Sequence, residues 1–425
     1  MTGPGGAAAS RRRRHAVPVL VLGLVSFAMA GCGGSSSPKP EAERAAKVGA
    51  WTKAGPLTVA RGGQTESTLA DGRVLIAGGQ LADLYSGLKS AEIFEPATLK
   101  WTITGEMGAN RNSHTATVLT TGKVLITGGL ITGGGGLGTA EIFDPGAGSW
   151  SPAASMSVAR FNHTASLLPD GKVLVAGGFS LADTPGLSSA EVYDPVADTW
   201  APTAAMAGAR GLHTASVLAG GKVLVAAGND VGAFRRTAAE ATSTTVTNGL
   251  ASAASNGTGE VSTAELYDPA TRTWSATGQL KKGRSLHTAT TLKDGKVLVV
   301  GGFNPSGELD SAELYDPATG TWTPTAPLTS PRTIHTAALL PDGQVLVVGG
   351  QVGNTGSILS STLSTAVLFD PVAAKWTRAA DMGTPRTGHS STVLTSGQVL
   401  VAGGLNAIGP IGDAELFSVK AKAGL

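Results

Sequence analysis

The chain has almost no cysteine: Cys32 stands alone among 425 residues. No internal disulfide is available, so the fold must be held together without one. Net charge is also nearly absent. Thirty-two Lys and Arg against thirty Asp and Glu leave +2, which gives no electrostatic footprint for nucleic acid. Tyrosine is rare, at four residues, and long hydrophobic runs are missing. The nearest candidate, from Ala16 to Ala30, is too short for a comfortable membrane span. Glycine, by contrast, is abundant at 60 residues. Without a Gly-X-Y period it signals tight turns rather than collagen.

The short apolar run follows a basic head, Arg11 to Arg14, and has the length of a signal-peptide core. It ends in Met29-Ala30-Gly31-Cys32, which looks like a bacterial lipobox, although leucine is favoured where Met29 stands. The resemblance implies a signal peptide over residues 1–31, lipidation of Cys32 and a membrane anchor. Each buried methylene of the acyl chains would contribute about 0.8 kcal/mol. An ordinary secretory signal with an incidental cysteine is the alternative. A twin-arginine signal fits less well, because no hydrophobic pair follows the arginines. Residues 32–46, rich in Gly, Ser, Pro and charge, read as a flexible tether. The expected location is the cell surface or periplasm, with the outer membrane favoured in a two-membrane bacterium because Gly33, not aspartate, follows Cys32.

Beyond the tether the chain repeats itself. All seven tryptophans recur in one setting: Trp51, Trp101, Trp150, Trp200, Trp274, Trp322 and Trp376. Ten residues after each comes an arginine: Arg61, Arg111, Arg160, Arg210, Arg284, Arg332 and Arg386. Seventeen residues further on lies a glycine pair. Six pairs are intact, Gly78-Gly79, Gly128-Gly129, Gly177-Gly178, Gly301-Gly302, Gly349-Gly350 and Gly403-Gly404, and Ala227-Gly228 is a degraded seventh. An Ala-Glu pair, an aromatic and Asp-Pro then lead to the next tryptophan, as in Ala312 to Pro317.

One unit reads as four strands. His114 to Leu119 is a first strand of small and β-branched residues. Asp-Gly turns at Asp71, Asp170, Asp294 and Asp342 are hairpin signals. The second strand, such as Lys172 to Ala176, is nearly all apolar and so buried on both faces. A third strand carries Glu-Val-Tyr at 191–193, and the tryptophan sits on a fourth. Such a sheet cannot stand alone, and radial stacking of copies makes a propeller. Small residues place the first strand near the axis, and tryptophan places the fourth at the rim.

The period near fifty and these landmarks resemble the kelch repeat, from about Val48 to Phe417. The resemblance implies an all-β, seven-bladed kelch-type propeller of four antiparallel strands per blade over residues 47–418, with a tail at 419–425. The last unit stops after its third strand, and the chain opens with an orphan fourth strand at Trp51. Joining the two would close the ring and hide its edges. A monomer is expected.

Length varies only between the glycine pair and the glutamate, and the longest insertion, 229–263, falls in unit four. These connections share a face with the inter-blade loops, where specificity usually sits. The insertion is either a disordered insert without a role or a mobile, partner-binding arm. His114, His163, His213, His287, His335 and His389 recur at one position, with Gln64 in unit one. Spread over separate blades they are structural, bonded to backbone, and no metal is expected. The arginines face Glu92, Glu141, Glu191, Glu265, Glu313 and Glu415, so structural ion pairs are favoured; unit six has Val367 instead. Exposed at a channel mouth, the same seven arginines would form a face for an acidic ligand.

Catalytic residues do not stand out. Kelch propellers include galactose oxidase, whose copper site uses a tyrosine–cysteine crosslink. Here Cys32 lies in the lipobox, and Tyr193, Tyr267 and Tyr315 are repeat residues, so that chemistry and its cofactor are excluded. The resemblance leaves two readings: a scaffold binding a protein or glycan through the variable loops, or a carbohydrate-active enzyme, mutarotase or glycosidase-like, using an axial pocket.

Overall fold

A computed structural model describes residues 47–81, 87–131, 135–180, 185–230, 259–353 and 361–419. The leader, the lipobox, the tether through residue 46 and all but the first residue of the tail lie outside the described residues.

Seven four-stranded antiparallel sheets form the blades. Blade 3 shows the order: Thr164–Leu167, Val173–Ala176, Ala190–Asp194 and Thr199–Pro202, each paired with the next. The second strands, such as Val74–Ala77 and Val297–Val300, are buried at every residue, as their unbroken apolar runs demand. Inner strands of successive blades neighbour one another all round the ring, including blade 7 against blade 1. Small Thr, Ala and Ser side chains make that crowding possible near the axis.

Closure follows the expected route. Ala50–Ala54 pairs with the third strand of blade 7, Ala414–Ser418, in the register Ala50↔Ser418 to Ala54↔Ala414. The last blade therefore takes its outer strand from the beginning of the propeller. Trp51 stacks on Phe417 at 5.1 Å, matching Phe94–Trp101 at 4.9 Å in blade 1. Each tryptophan also donates its indole N–H to a carbonyl at the end of the preceding blade's outer strand. Trp200 reaches the Ala154 carbonyl at 2.7 Å, Trp51 that of Ala380 at 2.7 Å and Trp101 that of Gly55 at 2.9 Å. The rim is thus fastened at the closing seam as it is elsewhere.

The paired glycines sit where one blade meets the next. Gly177 has φ +64°, and a Cβ there would lie 2.4 Å from the Arg210 carbonyl of the following blade. Both the backbone conformation and the close approach require glycine. Ala227 occupies the same left-handed region, at φ 60°.

The insertion in blade 4 is narrower than 229–263. Asn229 bridges Glu260, and the Asp230 amide donates to the Gly259 carbonyl at 2.9 Å. Thr263 accepts from Arg210, and the Leu280 amide donates to the Ser262 carbonyl. Backbone pairing therefore draws both ends into the blade, and the extra length is confined to 231–258.

Candidate functional site

The arginines are the largest fully buried side chains, each 0–1% exposed. Arg160 shows their setting. Its guanidinium donates to the Gly177 carbonyl at 2.8 Å, the Ser189 carbonyl at 3.1 Å and the Glu191 carboxylate at 2.9 Å. Glu191 also accepts the Ser157 and Val158 amides. One ion pair thus ties the turn entering a blade to that blade's second and third strands. Burial alone would raise the Glu191 carboxyl, but the Ser157 donors and Arg160 hold it below the usual range. Burial pulls the arginines down, opposed by their glutamates.

This geometry corrects the idea of a ligand face. Arg61, Arg111, Arg160, Arg210, Arg284, Arg332 and Arg386 point into the blades, and their guanidinium groups bond to protein carbonyls. None is exposed at a channel mouth, and each spends one guanidinium nitrogen on the carbonyl that follows the second strand.

The histidines fasten the ring near its axis. His213 Nε2 lies 2.9 Å from Thr164 Oγ1 of the preceding blade, and the other five make the same contact at 2.9–3.0 Å. The threonine hydroxyl is joined by the expected backbone partner at His114, His335 and His389, which bond to Ala77, Val300 and Val348. Gln64 reproduces the arrangement: its amide nitrogen donates to Ser390 Oγ at 3.2 Å and the Ala402 carbonyl at 2.9 Å. Burial, with help from neighbouring arginines, lowers His114, His213 and His389 to about 3. The rings are neutral at pH 7. Among the described residues no three His, Cys, Asp or Glu side chains form a metal-binding group.

Two places depart from the repeat without having been singled out from the sequence. At the foot of the blade 4 insertion, Asn229 Nδ2 donates to Glu260 Oε1 at 3.0 Å. Burial raises Glu260, and the Asp230 charge adds to the rise. Asp230 Oδ1 and Glu260 Oε2 are inaccessible, and the Asn229 and Ser285 side chains oppose the rise of Glu260. This carboxylate pair lies on the variable-loop face; a search for acids outside the repeat positions would have found it. The second place is the blade 7–blade 1 seam. There Glu66 stands where other inner strands carry alanine, as at Ala116 and Ala165, or Ser391. Both its carboxyl oxygens are buried, and burial raises it to about 8, with Ser390 opposing.

The opposite face, of tight turns, holds an open groove of about 1000 Å³ between blades 6 and 7, lined among others by Asp342, Gln344, Asp370 and Gln398. Lys172 pairs with Asp194 at 2.9 Å in blade 3, whereas Gln344 replaces that lysine beside Asp370.

The comparisons fit this architecture. No curated protein matches the chain in sequence. A solved structure described as a fungal alcohol oxidase of the AA5 family, in complex with copper, is similar over 88% of this chain and 76% of its own. The TM-score is 0.63 at 18% identity, which establishes a shared fold alone. Among the described residues the tyrosines do not suit a copper site of that kind: Tyr193, Tyr267 and Tyr315 are buried against Trp200, Trp274 and Trp322 at 4.9–5.0 Å. The Kelch motif model matches residues 111–157, 160–207, 284–329 and 332–383. The chain therefore carries Kelch motifs, and it folds as an all-β, seven-bladed propeller of the galactose oxidase-like kind.

Proposed function

We propose that the protein is an exported, lipid-anchored scaffold that binds a protein or glycan through its variable-loop face. The observation that carries this reading is the division of the two faces. Ala50 pairs with Ser418, at the end of a third strand, so the chain enters the propeller on the tight-turn face. A tether of about fifteen residues, reaching roughly 20 Å, would hold that face toward the membrane. The loops of free length then point away, on a frame whose repeated charges are spent on its own fold.

Labelling cells with a radioactive fatty acid tests the anchor. The full chain should incorporate label and Cys32→Ser should not. For the face, a glycan array and a pull-down should compare the full chain with one lacking 231–258 and with loop substitutions in other blades. Binding unchanged by every loop alteration would remove the scaffold reading.

One observation favours the enzymatic alternative, the Asp230–Glu260 pair. Two carboxyls with one raised is the arrangement of an acid and a base. Sugar turnover by the full chain, lost in Glu260→Gln, would replace the first reading with the second.

A further inference from the structure

In six blades a glutamate carboxylate occupies one fixed place. It accepts amide N–H groups from the turn before the arginine and a charged bond from the arginine itself. Glu92 takes Thr58 and Val59 at 2.7 and 3.1 Å and Arg61 at 2.8 Å. Glu415 takes Gly383 and Thr384 at 2.7 and 3.2 Å and Arg386 at 2.8 Å. Blade 6 keeps the donors and loses the acceptor. Its turn has the same frame: the Leu328 amide donates to the Asp310 carbonyl, as Met107 does to Lys89, and Arg332 N–H to Leu309, as Arg111 does to Leu88. Pro331 does not disturb this, because Pro385 stands at the same position in blade 7, where both amide bonds are intact.

The glutamate position in blade 6 is Val367, which is 2% exposed. Arg332 still donates to the Gly349 and Thr365 carbonyls at 3.0 and 3.1 Å and to Thr365 Oγ1 at 3.2 Å. It has no carboxylate partner among the described residues, and nothing opposes the burial that lowers it to about 10. The guanidinium is therefore charged at pH 7. No acidic residue occurs between Asp342 and Asp370, so the variable loop of this blade cannot supply the missing group. Its unpaired Nε is not the signal, since Arg111 and Arg160 share it despite having glutamates. The signal is the acceptor place without a carboxylate, toward which a guanidinium and one or two turn amides are directed in the other blades.

We propose that blade 6 carries a binding site for a small carboxylate, formed by the Thr329 and Ser330 amides and the Arg332 guanidinium, in the place a glutamate carboxylate fills elsewhere. Successive backbone N–H groups make an anion-binding concavity, and a guanidinium matches a carboxylate in shape and charge. Thr329 is exposed and Ser330 half-buried, while Arg332 and Val367 are buried. The proposal is independent of what the variable-loop face binds.

The test uses the full chain with sodium acetate as probe against sodium chloride at equal ionic strength. Acetate should raise the wild-type unfolding midpoint by about 2 °C when saturating. Val367→Glu restores the internal carboxylate and should raise the midpoint in chloride while abolishing the acetate increment. An equal acetate increment in both proteins would overturn the proposal. If Val367→Glu does not fold, NMR on the wild type decides. Acetate should shift the Val367 methyl resonances saturably; no shift, or an equal shift with chloride, would overturn the assignment.

Discussion

A guanidinium buried to 0% exposure is tolerated here because each of its neighbours is also spoken for. The Glu191 carboxylate answers Arg160 and two turn amides at once, so removing it strands three donors. Glu191→Ala should cost about 3–5 kcal/mol, the range for breaking a buried pair. Lys172→Ala, which breaks the exposed pair with Asp194, should cost less than about 1 kcal/mol. Urea denaturation of both variants checks the ratio; similar losses would mean that burial does not set the value of these pairs. Glu66 is the opposite case, a buried acid without a cation. Its folded pKa is raised from 4.5 to about 8, so the folded state holds the proton more tightly than the unfolded one. Its contribution is fully present below about 4.5 and is lost as pH rises to about 8. Glu66→Gln should therefore remove a fall in stability between pH 5 and 8, measured by urea midpoints across that range.

At the scale of the strand and seam, the repeat was readable wherever a residue type answers a local requirement. Asp-Gly marks a hairpin, an unbroken apolar run marks a strand covered on both faces, and paired glycines mark a positive φ beside another backbone. The missing outer strand was legible for the same reason, since Trp51 lacks three strands before it and Phe417 lacks one after. The site was less legible. Sequence spacing gives the arginines a common face but not the direction of their side chains, and only the fold shows them turned inward toward carbonyls. Asp230 and Glu260 are 30 residues apart in sequence, with an insertion between them that has no period to align. Gln64 gives the seam argument a test. It makes the two bonds expected of the histidine position, so His213→Gln should fold with little loss of stability. It should also reduce the acid sensitivity of the ring by one proton. A variant as acid-sensitive as wild type would show that His213 is not held neutral. Ala227→Gly should add about 1 kcal/mol, by relieving a left-handed alanine, as read from the urea midpoint.

For the whole ring, the two kinds of seam respond to pH with opposite sign. Six seams carry a buried neutral histidine; His114, His213 and His389 fall from 6.5 to about 3, and the others are lowered as well. Their contribution is present above about 6.5 and is lost as pH falls, at about 1.4 kcal/mol per pH unit for each ring that the unfolded chain protonates and the folded chain does not. The seam between blades 7 and 1 has Gln64 instead of histidine and the protonated Glu66 beside it, so acid does not weaken it. Alkali does, because ionising Glu66 places a charge where only the Ser390 hydroxyl faces it. A closed propeller must open somewhere, and the weakest seam should be where it starts. Hydrogen exchange, corrected for intrinsic rates, should show protection lost first in Thr65–Thr68 and Ser390–Val393 as pH approaches 9. On lowering pH to 5, the loss should begin instead in inner strands of blades 2 to 6, such as Thr164–Leu167 and Thr214–Val217. Opening at the same seam at both extremes would show that closure is not governed by Glu66 and the histidines.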